Sequence, residues 1–196
     1  MTRRLMIALA FVAVGIHAGE ARSQNLTITP RLGAYIGAGD AEELRSEAER
    51  FRVERSADFA LGLTAEIGPI RGSLDYVTGK RITEEGLDDG DVGDGSLLAV
   101  AAGLALRPIP RIVGFQPYAV AGAGLKRNDY SYDDDGLSDL LPASETDFSV
   151  QLGLGADLML GAVGIVAEIT DYISWHEGSA GRHDAFITAG LRVSLF

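Results

Sequence analysis

A chain of 196 residues with no cysteine and a formal charge of −11 must be held together by packing and hydrogen bonding, because no disulfide can form in any compartment. The length suits one domain that needs no metal or cross-link to fold. The acidity argues against nucleic acid as a partner, since phosphates demand a basic footprint.

The chain opens on "MTRRLMIALAFVAVGIHAGEARSQ". Arg3 and Arg4 precede an apolar run from Leu5 to Ile16, and small residues follow around Ala18 to Ser23. That layout predicts a secretory signal peptide over residues 1–23, cut after Ala21-Arg22-Ser23, in preference to a retained anchor helix. The mature domain is then 24–196. Cleavage takes away three arginines and one glutamate, moving the formal charge from −11 to −13, and His17 leaves with it.

Beyond this point apolar residues recur at every second position, the period of a strand with two different faces. In "LTITPRLGAYI" the bulky parity is Leu26, Ile28, Leu32 and Ile36, opposed by Thr27, Thr29, Arg31, Gly33 and Tyr35. "DFALGLTAEIG" sets Phe59, Leu61, Leu63, Ala65 and Ile67 against Gly62, Thr64 and Glu66. "IRGSLDYVT" sets Ile70, Leu74 and Tyr76 against Arg71, Ser73 and Asp75, and "SLLAVAAGLALR" sets Leu98, Val100, Leu104 and Leu106 against Ala99, Ala101 and Gly103. "PYAVAGAGLK" has two small parities and leaves its faces open. "FSVQLGLGADLML" carries the longest alternation, Phe148 to Leu160 against Ser149, Gln151, Gly153, Gly155, Asp157 and Met159. "AVGIVAEITDY" places Val163, Ile165, Ala167 and Ile169 opposite Gly164, Glu168 and Thr170. "DAFITAGLRVSLF" places Ile187, Ala189, Leu191, Val193 and Leu195 opposite Thr188, Gly190, Arg192 and Ser194.

Eight strands result, and their connections alternate in length. "IGPIR" and "LGAVG" are tight and "RPIPRIVGFQ" is a moderate, proline-marked turn. Four polar segments between them are long: "GAGDAEELRSEAERFRVERSA", "GKRITEEGLDDGDVGDG", "RNDYSYDDDGLSDLLPASET" and "SWHEGSAGRHDA". Phe51 and Val53 share the parity of Phe59, so the second strand can begin early, while "AEELRSEAERF" has the composition of a short helix.

The non-bulky parity is mostly Gly, Ala, Ser and Thr, too small and bland for a solvated exterior but suited to a narrow lumen. Its sparse charges, Arg31, Glu66, Arg71, Asp75, Asp157, Glu168 and Arg192 together with Lys126, carry both signs. Inside a closed bore they must pair, because isolated buried charges are costly. The expected role is a structural charge network. The bulky parity then faces lipid, and about 9–11 tilted residues per strand cross the hydrocarbon. Closure removes the unpaired edge that hydrocarbon would not tolerate. The predicted fold is therefore all-β: an eight-stranded antiparallel up-and-down transmembrane β-barrel. Tyr76, Tyr172, Trp175 and Phe196 lie toward strand ends, where interfacial aromatics belong. A lipocalin-like soluble carrier, with apolar lumen and charged exterior, is the inverse arrangement.

Signal peptide, eight alternating strands, alternating loop lengths and the terminal "GLRVSLF" resemble the small outer-membrane β-barrel family that includes the OmpA transmembrane domain, OmpX and the opacity-type surface proteins. The resemblance covers residues 24–196. It implies export to the outer membrane of a Gram-negative-type cell, contact with outer-membrane lipid, both chain ends in the periplasm and long loops outside the cell. It also implies that Phe196 is the assembly signal read by the barrel-assembly machinery. Phe196 falls on the parity of Arg192 and Ser194, whereas the family pattern turns the terminal aromatic to lipid.

Candidate chemistry sits in the loops. Glu84, Glu85, Asp88, Asp89, Asp91 and Asp94 are hard oxygen donors, but their spacing is not that of an EF-hand and no closing glutamate follows. Tyr130, Tyr132 and Asp133 to Asp135 mix aromatics with charge, as recognition surfaces do. His176, Glu177, Ser179, His183 and Asp184 supply the residue types of a hydroxyl nucleophile with its base and orienting acid. They do not reproduce the His-x-Ser arrangement of barrel enzymes that trim lipid A. The expectation is no cofactor, no metal and no catalytic residue: a non-enzymatic barrel for envelope structure and for contact with an extracellular ligand or surface through acidic loops. A lipid-modifying rim enzyme and a narrow channel are the alternatives, although an eight-stranded bore is about filled by its own side chains.

Overall fold

The computed structural model describes residues 26–37, 44–45, 50–53, 57–84, 91–132, 144–175 and 182–195. Among these residues are ten strands: β1 (Leu26–Gly37), β2 (Leu44–Arg45), β3 (Arg50–Val53), β4 (Ala57–Ile67), β5 (Ile70–Glu84), β6 (Asp91–Leu106), β7 (Phe115–Tyr132), β8 (Ser144–Leu160), β9 (Val163–Ser174) and β10 (Arg182–Ser194). Eight of them, β1 and β4 to β10, pair antiparallel in sequence order, and β1 also pairs with β10. The sheet therefore closes into an up-and-down barrel, and no helix occurs among the described residues. The closing seam runs from Gly37 opposite Asp184 down to Thr27 opposite Ser194, and one further bond joins the Leu195 amide to the Leu26 carbonyl at 2.8 Å.

Burial shows which face is which. Arg31 and Glu66 are 3% and 2% exposed, while their chain neighbours Leu32 and Ile67 are 58% and 44% exposed. Polar residues fill the interior and aliphatic ones cover the outside, the reverse of a soluble barrel. The outward band runs over every barrel strand, with Leu61, Leu74, Val100, Leu125, Leu154, Ile165 and Ile187 all exposed. Charged outward residues such as Asp94, Arg127 and His183 lie beyond that band, toward the long-loop end. A closed sheet with no free edge and an apolar exterior satisfies every backbone group in hydrocarbon. The lipocalin-like arrangement is thereby inverted.

The faces of β7 follow from one residue. Lys126 is fully buried, so Tyr118, Val120, Gly122 and Gly124 share the lumen and Ala121, Ala123 and Leu125 face outward. Here the larger residues near the short-turn end are the inward ones, which is why side-chain size alone did not mark the face.

Three expectations need correction. Tyr172 is not an interfacial aromatic; it is fully buried in the lumen, on the parity of Glu168 and Thr170, whereas Tyr76 and Trp175 do face outward and are 40% and 53% exposed. Residues 50–53 form no helix: Arg50–Val53 pairs with β2 on one side and, along the edge of β5 that β4 occupies, with the far end of β5 on the other, Phe51 lying opposite Glu84, so the pairing of the second barrel strand does begin early. The long connections are also shorter than the apolar pattern implied, because β5 continues to Glu84, β6 starts at Asp91, β7 continues to Tyr132 and β8 starts at Ser144. Backbone pairing beyond the membrane needs no alternation of side chains, so strands outrun the hydrophobic signal.

Close strand approach depends on inward glycines. A Cβ at Gly124 would stand 1.8 Å from the Val100 carbonyl oxygen, and one at Gly103 would stand 2.2 Å from that of Ala121. Gly124→Ala is expected to spread the β6–β7 pairing and lower stability by about 1–3 kcal/mol, the usual range for overpacking. The check is the urea midpoint of the refolded barrel, with Gly72→Ala, where a Cβ meets nothing within 4 Å, as the neutral control.

Candidate functional site: the filled lumen

The lumen contains two polar layers separated by an aromatic one. In the layer toward the short turns, Glu168 of β9 is the hub. It accepts from Arg71 at 2.7 and 2.5 Å, from the Tyr118 hydroxyl at 2.7 Å and from Arg31. Arg31 also reaches Asp75 at 2.7 Å. Glu66 is held by Arg107 at 2.5 Å, by Arg192, and at 3.4 Å by Arg71. Asp157 lies 2.9 Å from Arg111 and 3.8 Å from Arg192. Each buried carboxylate of this layer faces at least one guanidinium, which offsets the desolvation penalty of both.

Strand alternation places these groups, and glycine makes room for them. A Cβ at Gly62 would sit 2.4 Å from the Asp75 carboxylate and 3.1 Å from Arg31, and one at Gly190 would sit 2.9 Å from the Arg31 stem. Gly155 leaves the space occupied by the Tyr118 ring, 2.5 Å from where its Cβ would be. Long and absent side chains therefore alternate around the bore, so that a narrow barrel can contain several arginines.

Above this layer lies a septum of Tyr35, Val77, Leu97, Tyr172 and Phe186, all buried in one cluster. Phe186 stands between the two tyrosines, with ring centroids 5.3 Å from Tyr35 and 5.5 Å from Tyr172. The tyrosine hydroxyls point in opposite directions. That of Tyr172 donates downward to Asp75 at 2.7 Å and accepts from Gln151 at 2.8 Å, while that of Tyr35 donates upward to Asp184. Asp184 belongs to the upper layer, where it meets Lys126 at 2.5 Å, and Lys126 also donates to Ser174 at 2.7 Å. Each tyrosine thus supplies an apolar body to the septum and a satisfied polar tip to a neighbouring layer.

Two solved structures share this architecture. Neisserial surface protein A is 14% identical over 87% of this chain and 97% of its own, with a TM-score of 0.56. The outer membrane protein OprG from Pseudomonas aeruginosa is 17% identical over 88% of this chain and 98% of its own, with a TM-score of 0.53. The chain has the fold of the small outer-membrane β-barrels. No family model matches it, and a comparison with curated proteins finds no match. The closed sheet and the apolar belt are those of a barrel that crosses a membrane by its strands.

Within this barrel the seven charges of the expected network, Arg31, Glu66, Arg71, Asp75, Asp157, Glu168 and Arg192, all lie in the lower polar layer. Arg107, Arg111 and Tyr118 join them without having been singled out. The two arginines stand in a turn, where no strand parity exists to assign a direction. Of the candidate catalytic residues, His183 faces outward, its Nδ1 2.6 Å from Asp171, while the adjacent Asp184 faces the lumen. His176, Glu177 and Ser179 lie outside the described residues, as do Phe196, the signal segment, and Glu85, Asp88, Asp89 and Asp133 to Asp135 of the acidic loops. Among the described residues no group of three metal-ligating side chains occurs.

Proposed function

We propose that the chain is a non-enzymatic outer-membrane platform: a sealed barrel that supports envelope structure and presents acidic loops to an extracellular ligand or surface. The observation that carries this reading is the lumen, filled from the Glu66 layer to the Lys126–Asp184 pair by its own side chains. Such a bore leaves the long-loop end as the variable surface. Residues 1–23 act as the signal peptide, and Phe196 is the assembly signal for the barrel-assembly machinery.

Purified protein in liposomes is expected to give no swelling in small sugars beyond protein-free vesicles. Excising 85–90 and 133–143 is expected to preserve heat-shifted gel migration of the folded barrel while abolishing adhesion of expressing cells to surfaces. Sugar-permeable vesicles would replace the platform reading with a channel. An altered lipid A profile in expressing cells that vanishes with Ser179→Ala would replace it with a rim enzyme. Edman sequencing of the mature protein from Gln24, and loss of outer-membrane insertion on deleting Phe196, check the two processing roles.

A further inference from the structure

Two short connections, at Gly68–Pro69 and Gly161–Ala162, take two residues each, but residues 107–114 take eight. Pro108 and Pro110 stiffen the approach. The segment then closes a hairpin in which Ile112 and Phe115 exchange backbone hydrogen bonds of 2.9 Å in both directions. Its central residues, Val113 and Gly114, have φ of 47° and 82°. Left-handed backbone at both positions is the geometry for which Asn-Gly is the favoured pair. A β-branched residue there is a genuine outlier, and this one is 94% exposed. The tip therefore keeps a strained apolar side chain where a polar one would fold with less strain.

The hairpin has two unlike faces. Arg111 turns inward to Asp157 at 2.9 Å and to Gln116 at 2.9 Å, and Gln116 in turn donates to the Ile109 carbonyl at 3.3 Å. Directly paired residues in an antiparallel ladder project to the same side. Ile112, 62% exposed, consequently shares the outward face of Phe115, which lies opposite Leu158 in the belt. Ile109 and Leu160 are exposed as well.

We propose that residues 109–115 form an interfacial lipid-binding element, with Ile109, Ile112 and Val113 inserted at the headgroup–acyl boundary of the leaflet at the short-turn end. Continuity decides for lipid: the outward hairpin face extends the apolar belt without a polar break between Ile112, Phe115 and Leu158. Because Arg111, although 37% exposed, is paired with Asp157, the element binds through apolar area and does not need anionic headgroups.

The absence of native cysteine allows single labels. Val113→Cys and, separately, Ile109→Cys are labelled with a bimane fluorophore and the full-length mature barrel is reconstituted in phosphatidylcholine vesicles. Heat-shifted migration confirms folding, and an Ile165→Cys label in the belt reports whether the barrel is in the bilayer. Bromines near the headgroup end of the acyl chain are expected to quench both hairpin labels more than bromines near the terminal methyl, and phosphatidylglycerol should leave the quenching unchanged. Quenching by aqueous iodide with none by bromolipid, while Ile165→Cys is still quenched by lipid, would overturn the proposal. Shielding from both quenchers would overturn it in favour of a protein contact or a second copy at this hairpin.

Discussion

Replacing Glu168 with alanine is expected to destabilise the barrel by about 3–5 kcal/mol, the range for breaking a buried ion pair from one side. The carboxylate faces Arg31, Arg71 and Tyr118 at once, and both guanidiniums are essentially excluded from solvent. Alanine would leave Arg71 with only the 3.4 Å contact to Glu66, while Arg31 would retain Asp75. The physics also predicts a partial rescue. Replacing a buried pair with apolar groups of similar volume is often neutral, so Glu168→Met combined with Arg71→Met should cost much less than Glu168→Ala. In that double variant Arg31 keeps Asp75, and Glu66 keeps Arg107 and Arg192. Urea unfolding in lipid vesicles, followed by fluorescence of Trp175, the sole tryptophan, gives the ordering. A Glu168→Ala midpoint equal to that of the unsubstituted protein would mean that water, not Glu168, solvates these arginines.

The barrel was legible in the sequence because each strand's backbone has a strict two-residue period and lipid exerts the same demand on every outward position. Glu168 could be placed in the lumen from its neighbours Ala167 and Ile169 alone. Its partners could not, since they come from β1 and β5, 137 and 97 residues away, and depend on how the strands are staggered around the closed sheet. Tyr172 shows where position along a strand misleads. An aromatic near a strand end fits the membrane interface, but parity with Glu168 and Thr170 carries more information, and the structure follows parity. Arg107 and Arg111 had no such guide. The hydrophobic signal also says nothing about strand length outside the bilayer, and so the outer ends of β5, β6, β7 and β8 read as loop in the sequence.

Phe186→Ala is expected both to lower stability by about 3–5 kcal/mol, as large-to-small changes at buried aromatics do, and to make the barrel leak. Phe186 is fully buried and fills the gap between the Tyr35 and Tyr172 rings. Below it stand Asp75 and Gln151 on Tyr172; above it stand Asp184 and Lys126. Removing the ring would open a void lined by the two tyrosine rings, Val77 and Leu97, with polar groups at both ends, Asp75 and Gln151 below and Asp184 and Lys126 above. A closed apolar cavity stays dry, but one that opens onto polar groups at both ends gives water the partners it needs to cross. Water at this level would join the two polar layers into one hydrated path for protons and small cations. Phe186→Leu keeps most of the apolar volume and should preserve the seal at a smaller cost in stability. Single-channel recording in planar bilayers separates the two effects: silence from the unsubstituted protein and from Phe186→Leu, brief conductance events from Phe186→Ala. If Phe186→Ala lost stability but stayed silent, the septum would not be the seal and the charge layer around Glu168 would itself be the barrier.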